Sequence, residues 1–476
     1  MDLASFVKAY DVRGVVPEQL NESVAEAFGA AFAVVVAGPD GAGGIVVGHD
    51  MRPSSPALSE AFARGAATQG VDVTVIGLCS TDGLYYASGA LDRPGAMFTA
   101  SHNPARYNGI KLCRAGARPI SLETGLAQIR DLAQGQLDGQ PLVEAAVAGT
   151  VTTRDVLPEY AAYLRGLVDL SGIRPLKVVV DAGNGMGGYT VPAVLGTDAG
   201  LPKLPIEIVP LYFELDGTFP NHEANPLEPA NLVDLQDAVV RHGADVGLAF
   251  DGDADRCFAV DERGEPVNPS AITALVATRE IAREVAAGVP VGEISIVHNL
   301  ISSAAVPQIV AETGAKPVRT RVGHSFIKAE MARHNAVFGG EHSAHYYFRD
   351  FWFADTGMLA AMHLLAALGE TDQPLSALVG QFQRYVASGE INSTVSDAAA
   401  ATERVRRWAV AHAGGDLATD TLDGTTLTFD GTPMWWLNLR ASNTEPLLRL
   451  NVEAADEPTM SAIRDAVLPL IRASTD

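Results

Sequence analysis

Strand–helix–strand runs recur three times in this chain, at starts about 120 residues apart, and that recurrence restricts the fold more than any other feature. The first run reads as a strand at Ile45–Val47, a helix at Ala57–Gln69 and a strand at Val71–Ile76. The second has Lys177–Val180, Tyr189–Leu195 and Ile206–Val209; the third has Ile294–Val297, Ser303–Thr313 and Pro317–Arg321. No residue-level repeat accompanies the pattern. A further helix is expected over Asn21–Val36, where Ser23 and Glu26 can form a capping box and Val24, Phe28, Ala31 and Val35 keep a helical period. Past residue 380 the texture changes to short strands at Thr425–Phe429, Trp435–Leu439 and Leu447–Val452, then a helix at Pro458–Ile471. The expected fold class is α/β: three related α/β domains with mixed sheets (1–146, 147–264 and 265–381) plus a smaller C-terminal α+β domain (382–476), around a central cleft.

A length of 476 residues is too great for one core, in keeping with several domains. Asp+Glu outnumber Lys+Arg by 57 to 34, giving a formal net charge of −23, which makes the chain a poor binder of nucleic acid or anionic membrane. A small anionic substrate is not excluded, because a local basic pocket can override the global field. Cys79, Cys113 and Cys257 are far apart and odd in number, against a disulfide framework. No apolar run approaches the roughly 18–20 residues of a membrane span, and the N-terminus lacks a basic signal region. A cytoplasmic location is expected.

Four loops hold the chemistry. In Met97-Phe98-Thr99-Ala100-Ser101-His102-Asn103-Pro104, an apolar strand ends in a hydroxyl, an imidazole and an Asn-Pro stop, so Ser101 is either an ordinary turn serine or a nucleophile presented at a strand exit. In Asp251-Gly252-Asp253-Ala254-Asp255-Arg256, after the strand Val246–Phe250, three carboxylates within five residues would repel strongly without a cation; their type and spacing suit Mg²⁺. An EF-hand is a competing reading, but Arg256 stands at position 6, where its loop needs glycine, although Glu262 falls at the glutamate position. If the third loop, Gly340-Glu341-His342-Ser343-Ala344-His345, is extended, Glu341, Ser343 and His345 point one way and can grip a polyol; equally they can be the polar face of an ordinary strand. The fourth, Arg440-Ala441-Ser442-Asn443-Thr444-Glu445-Pro446 with Arg449 behind it, offers the donors a phosphate dianion needs. Together the loops supply what phosphoryl transfer needs: an oxygen nucleophile, a hard metal and groups that position the substrate. A separate Gly183-x-Gly185-x-x-Gly188, with Glu207 beyond it, matches the dinucleotide fingerprint in letter and leaves a nicotinamide-dependent oxidoreductase as a competing reading.

With these residues in order, and Tyr10-Asp11-Val12-Arg13-Gly14 ahead of them, essentially the whole chain resembles the α-D-phosphohexomutase family, most closely its phosphomannomutase/phosphoglucomutase branch. The resemblance implies that Ser101 is the phosphoserine. It implies one Mg²⁺ per chain, held by Asp251, Asp253 and Asp255 with an oxygen of phospho-Ser101. Arg13, His102, Lys111, Arg256 and His345 would line the reacting phosphate and sugar, with Tyr10, Arg321 and His324 also on the substrate. Glu341 and Ser343 would recognise the sugar, and Arg440, Ser442, Asn443 and Thr444, with Arg449 near, would clamp the non-reacting phosphate. The implied reaction interconverts hexose 1- and 6-phosphates through a hexose 1,6-bisphosphate, which also serves as activator, with mannose preferred and glucose also accepted. Phosphoglucosamine mutases usually carry glycine where Asn443 stands; that activity, and a non-catalytic sugar-phosphate binder, are the alternatives within the family. A monomer or homodimer is expected. Three departures stand out. His298-Asn299-Leu300 stands where many bacterial members carry a lysine, a charge Arg321 would supply. Ser80-Thr81-Asp82-Gly83 lacks the usual Thr-Pro, and His342 and Ala344 differ from the commoner residues of the sugar loop.

Overall fold

The computed structural model describes residues 2–38, 43–413, 417–441 and 447–473. Its first three sheets share one strand order. In the second, Ile206–Leu211, Leu176–Asp181 and Val246–Phe250 lie parallel, and Cys257–Val260 and Pro266–Val267 follow antiparallel. In the third, Lys316–Thr320, Ser295–Asn299 and Phe338–Gly340 are the parallel strands, and Tyr346–Phe348 and Ala354–Asp355 the antiparallel ones. The first repeats this with Val73–Leu78, Ile45–His49, Gly95–Phe98, then Tyr107–Arg114, and adds Asp11–Val15, Arg118–Pro119 and Val151–Thr153 at its margins. The repeat absent from the residues is therefore present in the topology. Val151–Thr153 pairs with Val73–Val75, so the first sheet runs one strand past the expected limit at residue 146.

In each of these sheets the third and fourth strands are joined by a hairpin. Those three hairpins are residues 99–106, 251–256 and 341–345, the first three of the loops singled out above. They leave the C-terminal ends of parallel strands, where open α/β sheets bind ligands.

The helices follow their apolar periods with adjusted ends. Glu22–Phe32 is capped by Asn21, whose side chain accepts from Val24 N–H at 3.1 Å. The cap thus falls two residues ahead of the expected Ser23–Glu26 box, because an asparagine in extended conformation already satisfies the first free donors. Gly357–Gly369 is apolar all round and wholly buried, as such a helix must be.

One apolar cluster runs through all three α/β units, from Val46 and Leu84 through Val179 and Leu248 to Ile296, Phe338 and Leu364. The C-terminal unit is different: five antiparallel strands, in the order Val386–Thr394, Leu447–Ala454, Trp435–Ala441, Thr425–Phe429 and Leu417–Asp420, under the helices Ala398–Ala413 and Glu457–Arg472. It has its own core, including Val405, Leu437, Leu450 and Val467. A small cluster of Leu300, Ile301 and Trp436 joins it to the third unit. Among the described residues no helix is long and apolar enough to cross a membrane.

Candidate active site

Ser101 sits at the exit of Gly95–Phe98 with φ +49°, a left-handed conformation costly for a residue with a Cβ. Arg52, 1 % exposed, holds it there. Its Nη2 donates to Ser101 O at 2.9 Å and Asn103 O at 2.6 Å, and its Nη1 to Pro104 O at 3.0 Å and Tyr107 O at 2.9 Å. Four carbonyls that no ladder reaches are satisfied by one guanidinium. Asp50, fully buried, lies 3.2 Å from Arg52 Nε and accepts from Ser55 Oγ at 2.6 Å. Arg13 grips the same loop from the other side, donating to Ala100 O at 3.1 Å and to the Asn103 side chain, while Asp11 accepts from its Nε at 2.9 Å.

The Ser101 hydroxyl donates to Asp251 Oδ2 at 2.8 Å. Gly252 makes that approach possible: a Cβ there would lie 2.4 Å from Ser101 O. The three aspartates converge, each offering a carboxylate oxygen within 4.8 Å of the others. Arg256 donates from Nε to Asp251 Oδ2 at 3.0 Å and from Nη2 to His102 Nδ1 at 2.7 Å. Lys111 bridges Asp253 Oδ2 at 2.7 Å and Asp255 Oδ2 at 2.5 Å. Burial and the facing carboxylates push Asp251 up, although Arg256 opposes them; Asp253 is equally buried, yet Lys111 holds it well below the usual range. Burial, then Arg256 and Arg13, push the His102 imidazole down to about 2, so it is neutral and accepts through Nδ1.

Thr81 and Asp82, in the turn that departs from the resemblance, reach across units. Thr81 donates its hydroxyl to Asp253 Oδ2 at 2.5 Å and its N–H to Asp253 O at 3.0 Å. Asp82 Oδ2 accepts from Tyr160 of the second unit and Thr356 of the third, both at 2.7 Å. Burial outweighs these bonds and pushes Asp82 up to about 6.

The Glu341–His345 segment is a turn, not the extended run on which a common face of Glu341, Ser343 and His345 was conditional. Ala344 N–H donates back to Glu341 O at 3.1 Å, and Ala344 takes φ +64°. A hairpin that must join Gly340 to Tyr346 in five residues has no room to run straight. The side chains still meet: Ser343 Oγ lies 3.3 Å from Glu341 Oε2 and 3.1 Å from His345 Nδ1. Glu341 also accepts from Tyr347 OH at 2.5 Å and from Asn299 Nδ2 at 3.3 Å. His345 Nε2 is 3.7 Å from Asp255 Oδ1, joining this turn to the acidic loop.

A cavity of about 170 Å³ lies where the three hairpins meet, lined by Ser101, His102, Asp255, Tyr10, His324 and His345. Four cations, Arg13, Lys111, Arg256 and Lys328, also line it, so an anion is welcome inside this acidic chain. Lys328, one of six lysines, was not singled out from the sequence; its Nζ pairs with Asp355 Oδ1 at 2.7 Å and lies over the Tyr85 ring at 4.2 Å. Arg321 is instead exposed, stacked over Phe326 at 4.6 Å, and does not line the cavity. His298 is buried and pushed down to about 4 by that burial, so it brings no charge. Arg440 and Arg449 both pair with Glu390, at 3.2 and 3.5 Å. Ser442, Asn443 and Thr444 lie outside the described residues.

The glycines of the dinucleotide-like turn serve packing. A Cβ at Gly185 would lie 2.7 Å from Gly252 O, and one at Gly188 would lie 2.2 Å from Phe213 O.

Three α/β units of one strand order, presenting a serine, an acidic triad and a Glu/Ser/His turn to one cleft, with an antiparallel fourth unit carrying paired arginines, define the architecture of an α-D-phosphohexomutase. Family models for phosphoglucomutase/phosphomannomutase alpha/beta/alpha domains I, II and III match residues 5–137, 158–264 and 268–385, and the model of the C-terminal domain matches 390–470. The chain belongs to the phosphoglucomutase/phosphomannomutase family. It is 41% identical over 471 residues to the phosphohexose mutases of Xanthomonas campestris, and 38% identical over 467 residues to the phosphomannomutase of Escherichia coli K12, in both cases covering 98% of each chain. A phosphoglucomutase/phosphomannomutase family protein from Burkholderia thailandensis superposes with a TM-score of 0.84 at 30% identity, covering 100% of this chain and 99% of its own.

Proposed function

We propose that this protein interconverts hexose 1-phosphates and hexose 6-phosphates, with mannose preferred and glucose also accepted, through phospho-Ser101. The observation that carries the reading is the Ser101 hydroxyl, 2.8 Å from Asp251 in a cavity lined by four cations. In the first half-reaction the phosphoryl group leaves Ser101 Oγ for the 6-hydroxyl of a hexose 1-phosphate. The O6 proton departs to a base, Ser101 Oγ takes up a proton as its bond to phosphorus breaks, and a hexose 1,6-bisphosphate results; the return step reverses this at Oγ. The bisphosphate turns over in the cleft; the bond from phosphorus to O1 then breaks, O1 takes a proton, Ser101 is rephosphorylated and hexose 6-phosphate leaves. Added bisphosphate would act as activator by loading Ser101.

Lys111 is held as an ammonium by two carboxylates, which suits charge neutralisation rather than proton transfer. Arg13, His102, Arg256 and His345 surround the reacting phosphate, with Tyr10 and His324 flanking it. Glu341, oriented by Tyr347 and Asn299, accepts from neighbouring sugar hydroxyls, with Ser343 beside it. Hydroxyls 3 and 4 are alike in glucose and mannose, so this grip tolerates both. Arg440 and Arg449, kept apart and oriented by Glu390, hold the non-reacting phosphate with the 442–444 segment. The separate core of the C-terminal unit, residues 382–476, suits a domain that closes over substrate and excludes water.

The donor set fits Mg²⁺. Asp253 Oδ1 and Asp255 Oδ1 are buried with no hydrogen-bond partner among the described residues, and a hard cation satisfies such oxygens. Asp251, Asp253 and Asp255 would hold it, joined by an oxygen of phospho-Ser101. When bound, the ion neutralises charge on the transferring group. Asp253→Asn is expected to weaken Mg²⁺ binding by about tenfold or more, read by titration calorimetry; an unchanged affinity places the metal elsewhere. Three buried, unpaired cysteines accord with a reducing compartment, and we place the enzyme in the cytoplasm as a monomer or homodimer.

Initial rates on mannose 1-phosphate, glucose 1-phosphate and glucosamine 1-phosphate, with hexose 1,6-bisphosphate present, test the reading. The first two are expected to be turned over and the third poorly. Turnover of none defeats the proposal, and preference for the third moves the chain to the aminosugar branch.

A further inference from the structure

The strand Lys316–Thr320 ends two residues before Val322, and the helix His324–His334 begins two residues after it. Val322 N–H therefore lies outside both the ladder and the helix and needs an acceptor of its own. It donates at 3.1 Å to Oδ2 of Asp423, a residue of the C-terminal unit. The Val322 side chain packs on the Leu300, Ile301 and Trp436 cluster that joins the two units. The helix that follows opens with His324, which lines the phosphate cleft.

Asp423 sits in the turn between Leu417–Asp420 and Thr425–Phe429, and that turn is fixed to the strand Trp435–Ala441, which carries Arg440. Gly424, with φ +72°, lets it cross there, since a Cβ would lie 2.2 Å from Leu439 O. Asn438, fully buried, donates from Nδ2 to Asp423 O at 3.1 Å and to Thr426 Oγ1 at 3.0 Å. The same Asp423 Oδ2 that accepts from Val322 lies 3.7 Å from Arg440 Nη1. One carboxylate thus meets both the turn that leads into His324 and an arginine of the fourth loop.

Its neighbour in the turn makes a weaker contact. Asp420 pairs with Arg319 across the same joint, but both side chains are 38 % exposed, and so open an ion pair contributes little. The Asp423 side chain is 16 % exposed. A main-chain N–H bonded to a carboxylate this sheltered is the stronger link, and it is made only while the two units meet as they do here.

We propose that Asp423 is a positioning residue that seats the C-terminal unit on the third, and so holds Arg440 where it grips the non-reacting phosphate; this rests on the role given to Arg440 under the proposed function. The consequence follows from populations. Arg440 reaches the phosphate only in the seated arrangement, so weakening the seat lowers the competent fraction and raises KM by the same factor. Saturating substrate restores that arrangement, and kcat is nearly preserved. The charge beside Arg440 acts in the other direction, because taking a carboxylate away from a guanidinium favours an incoming phosphate. Asp423→Asn loses that charge but keeps an oxygen for Val322 N–H. Asp423→Ala loses both, and the comparison of the two isolates the seat.

Both variants are assayed in the full chain with glucose 1-phosphate and hexose 1,6-bisphosphate, beside Arg319→Ala. KM is expected to be at least about tenfold higher in Asp423→Ala than in Asp423→Asn, with their kcat values within about threefold of each other. Arg319→Ala, which breaks the exposed pair alone, is expected to stay within about twofold of the parent. Hydrogen exchange of the peptide that holds Val322 reads the seat without turnover: it is expected to quicken in Asp423→Ala and to stay near the parent rate in Asp423→Asn, with unfolding midpoints alike. Asp423→Ser, too short to reach Val322 and at home in a turn, replaces the alanine variant if that one fails to fold. Equal KM in the alanine and asparagine variants, a fall in kcat at unchanged KM, or Val322 exchange indifferent to Asp423→Ala each overturns the proposal while the mutase reading stands. A parent that neither binds nor turns over glucose 1-phosphate overturns the mutase reading, and this proposal with it.

Discussion

Replacing Ser101 by alanine is expected to lower turnover by at least about 10⁴-fold, because among the described residues lining the cavity Ser101 carries the one aliphatic hydroxyl. The variant loses the hydroxyl's contacts with Asp251 and with His102 Nδ1 and keeps the grip of Arg52 on the loop backbone, so its unfolding midpoint is expected to stay near that of the parent. Two measurements separate loss of chemistry from loss of structure. Intact mass after incubation with hexose 1,6-bisphosphate should show a phosphate on the parent and none on Ser101→Ala. Fluorescence titration with glucose 1-phosphate should show the variant still binding. Turnover at the parent rate, or phosphorylation at another residue, removes Ser101 from the centre of the mechanism.

Arg52→Met has the next largest effect, and it acts on both stability and rate. Removing the guanidinium leaves the Asp50 carboxylate buried without its cation, a change that costs about 3–5 kcal/mol. It also removes the guanidinium bonds to the carbonyls of Ser101, Asn103, Pro104 and Tyr107, leaving Arg13 as the remaining arginine on the loop that keeps the serine in its left-handed conformation. The double variant Asp50→Asn/Arg52→Met distinguishes the two consequences. It is expected to recover much of the lost denaturation midpoint, since no unpaired charge remains, while turnover stays depressed because the loop is still unheld. Recovery of both together would make Arg52 a matter of stability only; parent-like turnover in Arg52→Met would remove it from the positioning of Ser101 altogether.

The three hairpins could be recognised in the sequence because each is a short run whose residue types already contain its chemistry: a serine before His-Asn-Pro, alternate aspartates, a Glu/Ser/His set. The residues that hold them could not, since their partners are remote along the chain. Arg52 meets its carbonyls some fifty positions later, and Asp82 meets Tyr160 and Thr356; a side chain that bonds distant backbone or hydroxyls leaves no periodicity to detect. Lys328 shows the same limit, lying on a helix of weak amphipathic pattern yet pairing with Asp355 inside the cavity. Arg321 shows the converse. The resemblance put it on the substrate, supplying a charge that His298-Asn299-Leu300 lacks, but Arg321 stacks on Phe326 while His324, beyond the turn at Gly323 with φ +129°, lines the cavity. The face of Glu341, Ser343 and His345 stayed open in the sequence for a related reason: alternation predicts a common face only when the strand continues, and here the hairpin closes first.

Because the serine, the aspartates and the Glu/Ser/His turn occupy one and the same hairpin in three copies of a sheet, the molecule resembles a ring of three subunits written on a single chain, each having given up two thirds of the work. A symmetric trimer would have to place a serine loop, an aspartate loop and a Glu/Ser/His loop in every copy; tethering lets each copy keep one set of side chains and lose the others. The consequence is that no unit carries a working centre, and the alignment of three bodies matters as much as the integrity of each. Asp82, bonded to a residue from each of the other two, stands at that joint, and damage there would misalign parts that are individually intact.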